Sequence, residues 1–254
     1  MTFREWILSD YTRNPSVSGQ WGALHIATLA ACIALIVAIA FFGRRRPRYS
    51  RENIIIFLTA CIFVLEIARR VVNIVKGVSD FDHFLYIMLP RPWCAISCWL
   101  LITSVLVRKA FFRSFAAMNA LLCALIFFFW PVVGFNNEYI LFENFYSIST
   151  HALLLVTSVS LITLGLCDFR YSRDGKWPLP ELIMLVCTFA YGFAEVFLIK
   201  CEADPLYFMP DGEVQSFLGF EYSIYLVLYI AFLIFYFNIF YIVGQLVHNK
   251  RRAI

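Results

Sequence analysis

A thiol, an imidazole and a closely spaced acid and two guanidiniums are the groups in this 254-residue chain best suited to chemistry. Cys94 follows Leu89-Pro90-Arg91-Pro92-Trp93. Prolines at a helix start cost little, because the first-turn N–H groups have no intrahelical partner anyway. The helix dipole at that position favours a thiolate. His151 stands near the corresponding end of another apolar run, and a thiolate with an imidazole base is the minimum for acyl transfer through a thioester. Cys94 and His151 are therefore the candidate catalytic pair. Glu66, Arg69 and Arg70 are spaced i, i+3 and i+4, which puts them on one helix face. This spacing fits a structural ion pair with a snorkelling arginine, and equally a clamp for an anion or phospholipid headgroup, since guanidinium forks suit phosphate. His25, one turn inside its own apolar run, is either a hydrogen-bonded packing residue or a further substrate contact.

The composition decides what must carry these side chains. Hydrophobic residues make up 61% and charged residues 15%, against roughly 45–50% and about 25% in a soluble domain. So few charges cannot coat a soluble surface, and a disordered, collagen-like or coiled-coil chain is excluded as well. The fold class expected is all-α, a polytopic membrane protein. A spanning helix needs about 20 mostly apolar residues, and seven such runs are present: Gly22–Gly43, Asn53–Val75, Leu89–Val107, Ser114–Phe135, Ser147–Cys167, Leu182–Ile199 and Glu221–Val247.

Basic residues resist translocation, so their distribution predicts orientation. Fourteen of the 21 Lys and Arg residues fall in alternate connections and the C-terminal tail. These are Arg44, Arg45, Arg46, Arg48 and Arg51, then Arg108, Lys109 and Arg113, then Arg170, Arg173 and Lys176, then Lys250, Arg251 and Arg252. The N-terminus is thus expected outside and the C-terminus in the cytoplasm, and the net charge of +4 is no nucleic-acid signal. A single domain over 1–254 is expected: an interfacial segment over 1–21 with Trp6 and Trp21 at headgroup depth, a helical bundle over 22–247, and a basic tail over 248–254. The eight cysteines are mostly within spans and do not read as a disulfide framework. Neither a metal site nor a cofactor is indicated. Counted inward, Cys94 and His151 lie at similar depth, about 7 Å below the outer surface.

Several of these features together resemble the bacterial YwaF-like integral membrane proteins and the related transmembrane protein 164 acyltransferases. The features are the Leu-Pro-x-x-x-Cys start of the third run (Leu89, Pro90, Cys94), Pro131 at the end of the fourth, and the segment from Phe145 to His151. The polar, aromatic and proline-containing stretch from Cys201 to Pro210 is a further one. The likeness covers about Glu66 to Ile242. It implies a seven-helix fold like that of the androgen-induced-gene-type lipid hydrolases, with a site open to the bilayer and the acyl chain carried on Cys94 with help from His151. The sequence departs from the family pattern at Arg91 and Pro92, where leucine and histidine are usual.

The expected function is therefore a lipid acyltransferase or acyl hydrolase in a bacterial cell membrane, with Arg69 or Arg70 holding the phosphate and Glu66 orienting them. Its expected partners are membrane lipids, phospholipid and lysophospholipid, and no nucleic acid; a homo-oligomer or a membrane partner stays open. The alternative is a non-enzymatic lipid or small-ligand binder, a sensor or an accessory subunit of a membrane complex. A transporter is disfavoured by the lack of an internal repeat. A retinal pigment is disfavoured because no lysine lies within Glu221–Val247.

Overall fold

The computed structural model describes residues 2–9, 19, 21–77, 84, 87–90, 92–129, 135, 140–169, 179–198, 206–207, 210 and 212–252. Among them the regular elements are all helices: α1 (Phe3–Leu8), α2 (Ala23–Gly43), α3 (Arg48–Lys76), α4 (Trp93–Val107), α5 (Ala110–Phe129), α6 (Phe142–Thr163), α7 (Leu179–Leu198), α8 (Glu213–Leu218) and α9 (Tyr222–Arg252). Among the described residues, five of these are long and apolar enough to cross a membrane: α2, α5, α6, α7 and α9. At about 1.5 Å per residue, the 29 residues of α3 would also reach across, but their charges interrupt the apolar pattern. The 15 residues of α4 reach only about 22 Å.

The helices start earlier or later than the apolar runs, for identifiable reasons. Pro47 is the N-cap of α3, so that helix opens at Arg48 rather than at Asn53. Pro92 caps α4, so Pro90 stays outside and Trp93 is the first helical residue. Helix α6 opens at Phe142 instead of Ser147, with Glu143 in its first turn, where the positive end of the dipole favours an acid. The backbone of 248–252 continues α9 as helix. Pro131, Arg91, His83 and the stretch Cys201–Pro205 lie outside the described residues.

Helix α5 is the centre of the bundle. Its Phe115, Ala116, Ala117, Met118, Ala120 and Ala124 are fully buried, and the alanines allow neighbouring backbones to come close. Helices α2 and α9 instead expose large apolar side chains, among them Ile26, Ile33, Val37, Val227 and Phe235. Such faces suit lipid rather than water. The N-terminal helix α1 docks across α6: Trp6 Nε1 donates to the Ile140 carbonyl at 2.8 Å, and its ring meets Phe142 edge-on at 5.6 Å.

Polar contacts sort the bundle into two ends. At one, Arg51 Nη1 donates to the Leu164 carbonyl at 2.6 Å, while Glu52 accepts from Arg48 at 3.1 Å and from Arg113 at 3.3 Å. There too, Ser114 Oγ donates to the Asp168 carbonyl and accepts from the Asp168 N–H. At the other, Lys76 pairs with Glu143 at 2.8 Å and reaches the Ser9 carbonyl at 3.4 Å. The starts of α3 and α5 and the end of α6 thus share one end, so α3 and α5 run in one direction and α6 in the other.

Burial raises the Glu52 carboxyl, but the bonds from Arg48 and Arg113 outweigh it and hold the group below its ordinary value. A depressed folded-state pKa stabilises the protein above the unfolded-state value and is lost as pH falls through the folded one. Replacing Glu52 with Gln is therefore expected to lower Tm at pH 7, with the gap to wild type narrowing below about pH 4. Thermal unfolding in detergent across pH checks this; a gap independent of pH contradicts it.

Candidate functional site

Helices α3 to α6 enclose a cavity of about 400 Å³, within the roughly 300–1,000 Å³ of small-ligand sites. Helix α6 supplies a stripe, Glu143, Tyr146, Ser147, Thr150 and His151, at the one-turn spacing that puts residues on one face. Helix α5 adds Cys123, Ile126 and Phe127, α3 adds Arg69 and Asn73, and the first turn of α4 adds Trp93 and Cys94; Tyr207 completes the wall. Cys94, His151 and Arg69 are therefore brought together. Their depth along the helices is unequal, however. Cys94 is the second residue of α4, whereas His151 lies more than two turns into α6, because both helices begin at places the apolar pattern does not mark.

The imidazole is held in one orientation. His151 Nδ1 lies 2.7 Å from the Ser147 carbonyl, which can only accept, so Nδ1 carries the proton and Nε2 holds the lone pair. The ring lies flat on Phe127, with centroids 3.9 Å apart and planes 7° from parallel. His151 thus presents a basic nitrogen without needing a charged partner. Among the described residues no hydrogen bond joins it to Cys94.

Cys94 is placed by its neighbour. Trp93 is buried, and its Nε1 donates to Asn119 Oδ1 at 2.9 Å, while Asn119 Nδ2 donates to the Phe115 carbonyl at 2.9 Å. This buried amide satisfies the indole N–H and ties the first turn of α4 to α5. Three residues after Cys94, Ser97 Oγ lies 3.3 Å from Cys123 Sγ.

The two arginines diverge. Arg70 is buried and spent on structure: Nη1 meets Glu66 Oε2 at 2.5 Å and the Glu66 carbonyl at 3.0 Å, Nε donates to the Met88 carbonyl at 3.1 Å, and the guanidinium lies 5.2 Å from the Trp99 ring centroid. Glu66 is fully buried and also accepts from the Tyr146 hydroxyl. Arg69 instead faces the cavity, 5.2 Å from the Tyr146 ring centroid. Among the described residues it has no ion-pair partner. Glu66 and Arg70 do not line the cavity; they set its wall through Tyr146.

His25 is elsewhere. Its Nδ1 accepts from the Trp21 N–H at 3.0 Å, and its ring sits among Trp21, Phe128 and Phe135. Phe128, the neighbour of Phe127, turns to another side of α5, which separates His25 from the cavity. Tyr146 is the residue that sequence reasoning missed, although the stripe Tyr146, Ser147, Thr150 and His151 is a polar face readable at helical spacing. Among the described residues no group of three or more His, Cys, Asp or Glu side chains could hold a metal ion.

Breaking a buried ion pair from one side leaves a charge unpaired, at a cost of about 3–5 kcal/mol. Arg70→Ala is therefore expected to lower Tm or yield far more than Arg69→Ala, measured by thermal unfolding in detergent. Equal losses would contradict the division of labour between the two. No protein-family model, curated protein or solved structure matches the chain.

Proposed function

We propose that the protein is a lipid acyltransferase or acyl hydrolase of the membrane, with Cys94 as nucleophile and His151 as base. One observation carries the reading: a thiol, an imidazole with its lone pair on Nε2 and a cation free of any described ion pair, Arg69, border one cavity. In the first half-reaction the Cys94 proton passes to His151 Nε2 and sulfur attacks an ester carbonyl of a phospholipid. The carbon–oxygen bond breaks, and the departing lysolipid oxygen takes the proton back from His151. In the second, a lysolipid hydroxyl or water attacks the thioester, its proton following the same route, and the thiol is restored. Arg69 holds the phosphate, and the first-turn N–H groups of α4 supply donors for the oxyanion.

The chain is read as crossing a bacterial cell membrane seven times, with α3 and α4 joining the five long apolar helices. The end bearing Arg48, Arg51 and Arg113 lies in the cytoplasm. Support comes from the basic-residue census and from the grouping of those arginines at one end of the bundle. The likeness to the YwaF-like proteins and the transmembrane protein 164 acyltransferases supports the chemistry.

A second reading is a non-enzymatic lipid or small-ligand binder, a sensor or an accessory subunit. It draws on the stacking of His151 against Phe127, which serves packing as well as catalysis. Incubation with phospholipid labelled in its acyl chain separates the two. Wild type is expected to gain a hydroxylamine-sensitive acyl mass that Cys94→Ser abolishes and His151→Gln slows by about 10²-fold or more, while Arg69→Ala mainly raises KM. Unchanged acylation in Cys94→Ser would sink the enzyme reading. Retained lipid binding with no acylation in wild type would favour the binder.

A further inference from the structure

At the opposite end of the bundle a second cavity, of about 910 Å³, lies between the start of α3, the residues following α6, and α9. Its chemistry is amphipathic. Ile239, Phe240 and Val243 of α9 line it with an apolar wall, and Arg48 and Arg51 of α3 line it with guanidiniums. Ile239 and Val243 are exposed, so the wall opens toward the surroundings of the bundle.

The basic side of this cavity is incompletely satisfied. Arg51 spends Nη1 on the Leu164 carbonyl, but its Nε is buried without a partner. An atom so buried does not itself border the open cavity, so a ligand there meets the other guanidinium nitrogens of Arg51 and the exposed head of Arg48. Arg48 and Arg51 lie in the first turn of α3, whose N-cap, Pro47, offers no side-chain cap. The unpaired N–H groups of that turn add to the positive field. Glu52 and Asp168 oppose it, but Arg48, Arg51 and Arg113 outnumber them, and Glu52 is already bonded by Arg48 and Arg113.

We propose that this cavity binds the phosphate of a glycerophospholipid, with an acyl chain laid along the α9 wall. The guanidiniums and helix start recognise the phosphate, a chemistry shared with soluble phosphate esters; the apolar wall selects the lipid. The site does not depend on Cys94 or on the acyl-transfer reading. It requires only that the helices stand in a bilayer.

Native mass spectrometry of the full chain in mild detergent, titrated with phosphatidylglycerol, tests it, with thermal shift in inorganic phosphate as a second arm. Wild type is expected to hold one saturable lipid that persists in Arg69→Ala, and is therefore distinct from any lipid at the Arg69 cavity; Arg51→Gln is expected to weaken it by about tenfold or more. Because Arg51 also braces Leu164, Val243→Trp provides a variant that fills the apolar wall and keeps the arginine. It is expected to lose the lipid while leaving any phosphate shift intact. Unchanged lipid affinity in both Arg51→Gln and Val243→Trp overturns the proposal. So does phosphate binding as tight as lipid binding with no effect of Val243→Trp, which would assign the site to a soluble phosphate ester.

Discussion

A fully buried carboxylate, Glu66, sets the terms for the rest of the bundle. A charge without water must be paired and hydrogen-bonded or neutralised, and Glu66 draws in Arg70 on one side and Tyr146 on the other. Arg70 then reaches the Met88 carbonyl just ahead of α4 and lies over Trp99 within α4. A single acid thereby fixes α3 against α4 and α6. The cavity lies beside that junction, and Arg69, one residue from Arg70, is turned into it. The structural pair and the candidate ligand-binding cation are consecutive residues with different duties, separated by the 100° of helix rotation between neighbours.

How much of this was legible in the sequence depends on which property each residue expresses. Apolar length alone indicates the long helices, and the basic clusters indicate which helix ends share a side. Cys94 and His151 are visible as polar groups in apolar runs. The choice between Arg69 and Arg70 is not visible, because i+3 and i+4 are equally good partners for Glu66. It is made by Met88 and Trp99, which belong to distant sequence. His25 misleads for a related reason: depth along a helix can be counted, but the side of the neighbouring helix it meets, Phe128 rather than Phe127, requires the packing. The helix starts shifted because Pro47 and Pro92 act as caps, a local cue that an apolar-length criterion passes over.

The bundle joins two amphipathic regions through one dense core. Around Cys94 and His151, a polar stripe of α6 borders a cavity that Phe127 and Ile126 of α5 also line. At the other end, Arg48 and Arg51 face the apolar wall of α9. Between them lie the fully buried alanines of α5 and Asn119. In both places a cation stands beside apolar surface, the pairing a phospholipid presents in complementary form. Acyl chemistry is proposed only for the first, where a thiol and an imidazole border the same space.

Cys94, His151 and Arg69 are proposed to form one lipid-ester site. A structure of the protein in lipid nanodiscs, prepared without delipidation, tests it most directly. A continuous tube of lipid density is expected to enter between α3 and α6, with its phosphate at Arg69 and its ester between Cys94 Sγ and His151 Nε2. A cavity closed by side chains or filled with ordered water alone, with Cys94 and His151 turned to different sides of the bundle, would contradict it.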